Sequence, residues 1–239
     1  MNATTTEDAG VCLITGVGPG TGAALARRFA TGGYRIAMIA RDQERLDALE
    51  KEIPNSRGFV CDVADADGFK ATLAKVKSEM GAPKIAIHNA VRGTFATFLE
   101  LDPKDFELNF QINAMGFLHL AQTVVPDMID AGEGVLLMTG NTSAYRGKPR
   151  FAGFAPTKAA QRILAESIAR DAGPKGVHVA FVAIDAVIDL PWTRKMFGEE
   201  SDDFYCQPAD IADECYRVAH QAKSAWSFES VIRPFGEVW

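Results

Sequence analysis

Cysteine, histidine and tryptophan are scarce in this chain of 239 residues, with 4, 4 and 3 copies, and their scarcity excludes several function classes. The cysteines, Cys12, Cys61, Cys206 and Cys215, form no C-x-x-C pair. Neither a zinc ribbon nor a dithiol redox centre is therefore available, and all four read as reduced thiols, Cys12 and Cys61 within buried strands. His88, His119, His178 and His220 are too scattered to predict a metal site. No apolar run reaches membrane-spanning length. The first ten residues are polar, with no basic start and no apolar stretch behind it, so no signal peptide is expected and the expected location is the cytoplasm. No stripe of Lys and Arg is present, and a net charge of -6 argues against nucleic acid as a partner. What is present, 47% hydrophobic and 23% charged residues, is the composition of a globular chain with ample material for a core.

The stretch Thr15-Gly16-Val17-Gly18-Pro19-Gly20-Thr21-Gly22 is the strongest local signal. It follows the apolar run 11–14 and precedes a helical pattern over 23–30. Strand, glycine turn and helix in that order make a phosphate cradle. Gly16, Gly20 and Gly22 permit a tight turn, close backbone approach to a pyrophosphate and close packing of helix on strand. The N–H groups of the helix start, from Thr21 onward, supply the partial positive charge. A dinucleotide site near the N-terminus is the reading.

Further strands are predicted over 34–40, 57–61, 84–88, 135–139, 177–182 and 228–232. Helices are predicted over 42–52, 65–80, about 102–130, about 154–172 and about 208–222. Nearly all-apolar strands alternating with helices indicate a parallel sheet covered on both faces. The expectation is one doubly wound, Rossmann-type α/β domain of about seven strands over 11–239, preceded by a flexible arm over 1–10. Residues 185–206 read as irregular and long enough to serve as a lid.

The order of these motifs resembles the short-chain dehydrogenase/reductase family over nearly the whole chain. The T-G-x-x-x-G-x-G pattern, Asp62 after the third strand, Asn89-Ala90 after the fourth, Asn113 in the long helix and Lys158 after the fifth strand all fall in sequence. The resemblance implies a nicotinamide cofactor. In that family an acid at the end of the second strand selects NAD; here Ala40 stands there, followed by Arg41, which suits the 2′-phosphate of NADP(H). Arg41 also reads as a plain solvated charge, and Asp42 offsets it. Asp62 resembles the acceptor of the adenine amino group, with the Val63 backbone beside it, and alternatively caps the following turn. Ile188 is expected to offer its backbone to the carboxamide.

The catalytic pattern departs from the family. The family places a Tyr four residues before the Lys and a Ser thirteen before the Tyr; here those positions hold Phe154 and Asn141. Asn113, Asn141 and Lys158 are the candidate catalytic residues, and Asn89 and Lys158 are also candidate cofactor contacts, the Lys158 ammonium suiting the ribose hydroxyls. Asn113 also has a structural reading, since in the family it props a kink in the long helix through water. Val91, Asp185-Ala186 and Leu190 replace a Gly, a Pro-Gly and a Thr that the family carries near the cofactor. Three accounts follow: a reductase with bound water as its acid, one with a substitute acid drawn from Tyr145, Tyr205 or Asp185, or a catalytically silent NADP(H) sensor or scaffold. Leu190, Trp192, Met196, Phe197, Phe204 and Tyr205 of the lid, with Phe95, Phe98 and Phe151, suggest an apolar or aromatic carbonyl substrate. The resemblance implies a homodimer or homotetramer, and Phe106, Phe110, Phe117 and Leu118 on one helix offer apolar surface for it, with Trp239 expected to be docked.

Overall fold

Strand β1 (Val11–Thr15) is buried along its whole length, and its alternate side chains enter two different cores. Val11 and Leu13 face one, Cys12 and Ile14 the other, because successive side chains of a strand point to opposite faces. The same alternation runs through β2 (Arg35–Ala40), where Ala37 and Ile39 oppose Ile36 and Met38. Seven strands form one parallel sheet in the order β3-β2-β1-β4-β5-β6-β9. The others are β3 (Ser56–Val60), β4 (Pro83–His88), β5 (Gly134–Gly140), β6 (Val177–Ile184) and β9 (Glu229–Ile232). This computed structural model describes residues 9–198 and 200–237. Its architecture is the expected doubly wound Rossmann-type domain.

Helices α1 (Thr21–Thr31), α2 (Gln43–Glu52) and α8 (Pro208–Ala219) cover one face, contributing Leu25, Leu46 and Ile211 to its core. Helices α3 (Ala66–Met80), α5 (Gly116–Ala131) and α6 (Ala155–Ala172) cover the other, with Phe69, Phe117 and Ala165. Phe117 is fully buried there, which removes it from the apolar surface expected to join subunits. Phe106 and Phe110 are half-buried and pack edge-on at 5.1 Å.

Three expectations need correction. The single helix over about 102–130 is α4 (Pro103–Phe110) and α5 joined by a π-helical turn, Gln111–Met115. The region 185–206 is not irregular throughout. It holds β7 (Val187–Ile188), helix α7 (Pro191–Met196) and β8 (Tyr205–Cys206), with β7 and β8 forming a separate two-stranded parallel ladder. Cys61 lies one residue beyond β3 and is half-buried. Of the arm proposed over 1–10, residues 9 and 10 are hydrogen-bonded into the fold, through Ala9 to Gly33 and Gly10 to Arg35; the rest, and Trp239, lie outside the described residues. No helix among the described residues is long and apolar enough to cross a membrane.

His88 ties the sheet to the π-helical turn. Thr15 Oγ1 meets His88 Nδ1 at 3.1 Å and His88 Nε2 meets the Ile112 carbonyl oxygen at 3.2 Å. Nε2 donates to the carbonyl, so Nδ1 accepts from the threonine hydroxyl. Complete burial first, and the nearby Lys158 charge second, push the imidazole from 6.5 down to about 3, which keeps it neutral. Its folded value lies below its unfolded value, so the unfolded chain binds more protons between the two. The neutral imidazole's contribution is complete above about pH 6.5 and is lost as pH falls below it, at about 1.4 kcal/mol per pH unit. His88→Leu should destabilise the protein by on the order of 2–3 kcal/mol at pH 7.5, from unpaired polar groups on both sides. In denaturant titrations the gap to the native protein should narrow as pH is lowered to about 4.5; a constant gap contradicts the assignment.

Candidate active site

Gly16, directly after β1, has φ +70°, and a Cβ there would lie 2.5 Å from the Ala90 backbone. The glycine turn thus lies against the chain leaving β4, and the two backbones diverge from this point. The order β3-β2-β1-β4-β5 reverses the winding here, so a crevice opens at the carboxyl ends of the strands. It is a cleft of about 810 Å³ lined by Gly16 through Gly22, the ends of β2 to β5, and parts of 184–192. Asn89 closes its floor. Nδ2 donates to the Gly16 carbonyl at 2.8 Å, and Oδ1 accepts from Thr139 Oγ1 at 2.9 Å.

One end of the cleft carries charge. Arg41, Asp42, Arg45, Asp62 and Val63 all line it. Asp42 caps α2 by accepting from the Arg45 N–H at 3.0 Å and pairs with the Arg45 guanidinium at 2.9 Å. Asp62 accepts from the Ala64 N–H at 3.0 Å, the turn-capping alternative, while its other oxygen lies 3.8 Å from Arg41. The Arg41 side chain is 75% exposed and open to a ligand. Arg45 was not singled out from sequence. It sits in the first turn after a strand end rich in charges, and only the fold shows that this turn borders the cleft.

The other end is apolar, with Val91, Phe154, Ile184, Ala186, Ile188, Leu190 and Trp192. Phe154 is the N-cap residue of α6, packed against Phe95 at 5.3 Å and Phe151 at 6.5 Å between ring centres. One turn on, Lys158 also lines the cleft yet is only 1% exposed. Its ammonium donates to Gln161 Oε1 and, at 3.4 Å, to the Thr139 carbonyl. Burial lowers it from 10.5 to about 7. Asn141 lines the same end, its Oδ1 accepting from the Ser143 N–H at 3.1 Å. Asn113 does not reach the cleft wall. Its carboxamide is buried between the Arg92 backbone, at 2.8 and 3.0 Å, and Thr157 Oγ1 at 2.8 Å. Through these bonds it ties the π-helical turn to the first turn of α6. The Ile188 carbonyl accepts from Thr193 Oγ1 at 2.6 Å.

None of the three proposed substitute acids lines this cleft. Tyr145 is directed to Glu229 and Arg162, and burial followed by the Glu229 carboxylate raises its phenol well above the usual range. The Tyr205 hydroxyl donates to the Phe197 carbonyl at 2.6 Å. Asp185 accepts from Thr142 Oγ1 and faces Arg146 and Arg233 at 3.8 and 3.4 Å. Of the aromatic and apolar residues expected around a substrate, Leu190 and Trp192 line the cleft, whereas Phe98 and Phe151 border a separate cavity of about 540 Å³. Gln161 was missed in sequence, although its spacing of three from Lys158 places both on one helix face.

Comparison with known proteins agrees with this geometry. Residues 10–222 match the sequence profile of the short chain dehydrogenase family. A D-threitol dehydrogenase of Mycolicibacterium smegmatis is 30% identical over 185 residues, 76% of this chain and 71% of the relative. A 7alpha-hydroxysteroid dehydrogenase of Escherichia coli is 28% identical over 229 residues, 91% of this chain and 89% of the relative. Among solved structures, a metagenomic short-chain oxidoreductase in complex with NADP superposes with a TM-score of 0.84 at 25% identity, covering 96% of this chain and 99% of that one. By fold, by the placing of its glycine turn and by this match over most of its length, the chain belongs to the short-chain dehydrogenase family.

Proposed function

We propose that the protein is an NADP(H)-dependent oxidoreductase that transfers a hydride between the cofactor and a carbonyl or alcohol. The observation carrying the cofactor choice is the pair of guanidinium groups, Arg41 and Arg45, at a cleft end where β2 closes on uncharged Ala40. The cradle fits a dinucleotide. Side chains at Gly16 or Gly22 would collide with backbone, whereas the position beside Gly18 is open. The NADP-bound relative supports the same reading. Residues 185–206 act as a lid in this proposal: the Leu190 side chain packs directly over Gly20, and Trp192 stands 62% exposed at the cleft edge.

When bound, a nicotinamide supplies the hydride, which no side chain can. The protein's share is position and electrostatics. Asn89 holds the floor, Lys158 places a cation at the inner end, and Asn141 offers its Nδ2 donor toward a substrate oxygen. Phe154, Leu190 and Trp192 exclude water and favour an apolar or aromatic substrate. A second reading, a silent NADP(H)-binding sensor, is favoured by one observation: Phe154 stands where the resemblance places a tyrosine, and no tyrosine among the described residues lines the cleft. A homodimer or homotetramer belongs to the same proposal, supported by exposed Leu108 beside half-buried Phe106 and Phe110 on α4 and by exposed Ile163 on α6.

Three measurements bear on these readings. Arg41→Ala should weaken NADPH by about 1.5–3 kcal/mol, roughly ten- to more than a hundredfold, and leave NADH nearly unchanged in calorimetric titration. Equal affinities of the native protein for the two cofactors contradict the choice of NADP(H). Assayed against a panel of aldehydes and ketones, the native protein should consume NADPH, and Phe154→Tyr should alter the rate by less than about tenfold. An inactive native protein that gains ~10²-fold or more from the added hydroxyl would instead be the silent binder. Light scattering at micromolar concentration should give a dimer or tetramer, and a monomer alone rules the assembly out.

A further inference from the structure

Of the titratable groups among the described residues at the apolar end of the cleft, Lys158 alone can release a proton near neutral pH. Arg92 also borders the cleft, but its guanidinium is paired with Asp105 at 2.6 Å and does not deprotonate. Arg41, Asp42, Arg45, Cys61 and Asp62 belong to the opposite end, at the termini of β2 and β3. His88 has both ring nitrogens engaged and does not line the cleft. Tyr145, Tyr205 and Asp185 are committed elsewhere, as described above. The Lys158 ammonium has three N–H donors, and two are accounted for by Gln161 Oε1 and the Thr139 carbonyl.

We infer that Lys158 is itself the proton donor to the substrate carbonyl oxygen, and that Gln161 is the residue positioning its ammonium. This inference rests on the oxidoreductase reading above, with a reduced nicotinamide dinucleotide as the co-reactant. In reduction, the carbonyl π bond breaks as its carbon gains a hydride with its electron pair. One Nζ–H bond of Lys158 breaks, and that proton forms the O–H bond of the alcohol. Lysine is left as the neutral amine and regains a proton from solvent, while the nicotinamide is oxidised by two electrons. In the reverse direction the neutral amine takes the alcohol proton.

Three features fit a lysine that changes charge during turnover. It is buried, and burial destabilises the cation, giving the shift toward 7 described above. Its partners are neutral: a carboxamide on its own helix and a backbone carbonyl on β5, with neutral His88 facing it from β4. No carboxylate among the described residues pairs with it. Arg162, next on the helix, is turned to Glu229 at 2.7 Å. A carboxamide also serves both charge states, since Oε1 accepts from the ammonium and a flipped Nε2 donates to the neutral amine. Gln161 Nε2 is buried and without a hydrogen-bond partner, so this second mode costs no existing bond.

The test joins binding, kinetics and a direct titration. Lys158→Arg keeps a cation but cannot give up a proton. It should bind NADPH within about tenfold of the native protein and lose ~10²-fold or more in kcat for reduction. The native rate of reduction should fall as pH rises through about 7, and the oxidation rate should rise. In protein without cofactor, the ¹³Cε signal of Lys158, assigned by its loss in Lys158→Met, should titrate in the same range. Gln161→Glu favours the cation, so it should move both the signal and the kinetic limb upward by roughly one to three units. Turnover by Lys158→Arg within tenfold of native overturns the inference, as does a Gln161→Glu titration that moves without the kinetic limb. NADPH binding without turnover of any carbonyl overturns Lys158 as the acid and leaves the cofactor site standing. Failure of the native protein to bind NADPH overturns the reading beneath both.

Discussion

The carboxamide of Asn89 bridges the carbonyl of Gly16 to the hydroxyl of Thr139, and the cleft depends on that bridge. It joins the chain ends of three strands, β1, β4 and β5, at the point where the sheet reverses its winding. Without it, the Gly16 carbonyl would keep only the Gly18 N–H, at 2.8 Å, and the turn would lose its side-chain tie to the chain leaving β4. The Thr15–His88–Ile112 chain lies directly beneath and runs the other way, from the sheet to the π-helical turn. Two short polar chains therefore hold an otherwise apolar sheet to the elements that shape the crevice. Each has its donors and acceptors matched, which is what makes buried polar contacts stabilising rather than costly.

The same economy extends to α6. Asn113 spends its carboxamide on the Arg92 backbone and on Thr157, and Thr157 in turn donates to the Phe154 carbonyl at 2.8 Å. These bonds fix the first turn of α6, and so place Phe154 and Lys158 over the cleft. Asn113 acts on the site through geometry, two bonds removed from any ligand. The π-helical turn is where this asparagine leaves the regular helix, which accords with such turns marking functional regions.

The sheet and its winding were legible because each central strand is an apolar run bounded by turn residues. The glycine turn was legible because its position between strand and helix carries more information than the glycines themselves. What escaped was decided by contacts distant in sequence. Nothing in the apolar pattern of 102–130 distinguishes a straight helix from one broken by a π turn, because that break answers to His88 and Thr157. The pieces of 185–206 are too short for periodicity: a two-residue ladder and a six-residue helix whose first turn is closed by Thr193. Tyr145 stands nine residues before Phe154, close enough in sequence to be considered an acid. Its hydroxyl is instead drawn toward Glu229 on β9, a pairing that exists only because β9 lies beside β6.

Phe154, where the resemblance places a tyrosine, has a consequence that runs through Lys158. A buried ammonium needs acceptors, and a phenol one helical turn away is the acceptor the family's pattern would provide. The Phe154 side chain offers none, and its ring is held against Phe95 and Phe151. The acceptors that remain are Gln161 Oε1 and the Thr139 carbonyl, both neutral. Neutral acceptors stabilise a cation less than a carboxylate does, so desolvation dominates and the proton is loosened. With phenylalanine at this position the cleft holds no phenol among the described residues, and it holds a lysine whose acceptors are neutral. A site built this way has both its positive charge and its labile proton on a single atom, with Gln161 setting how firmly that proton is held.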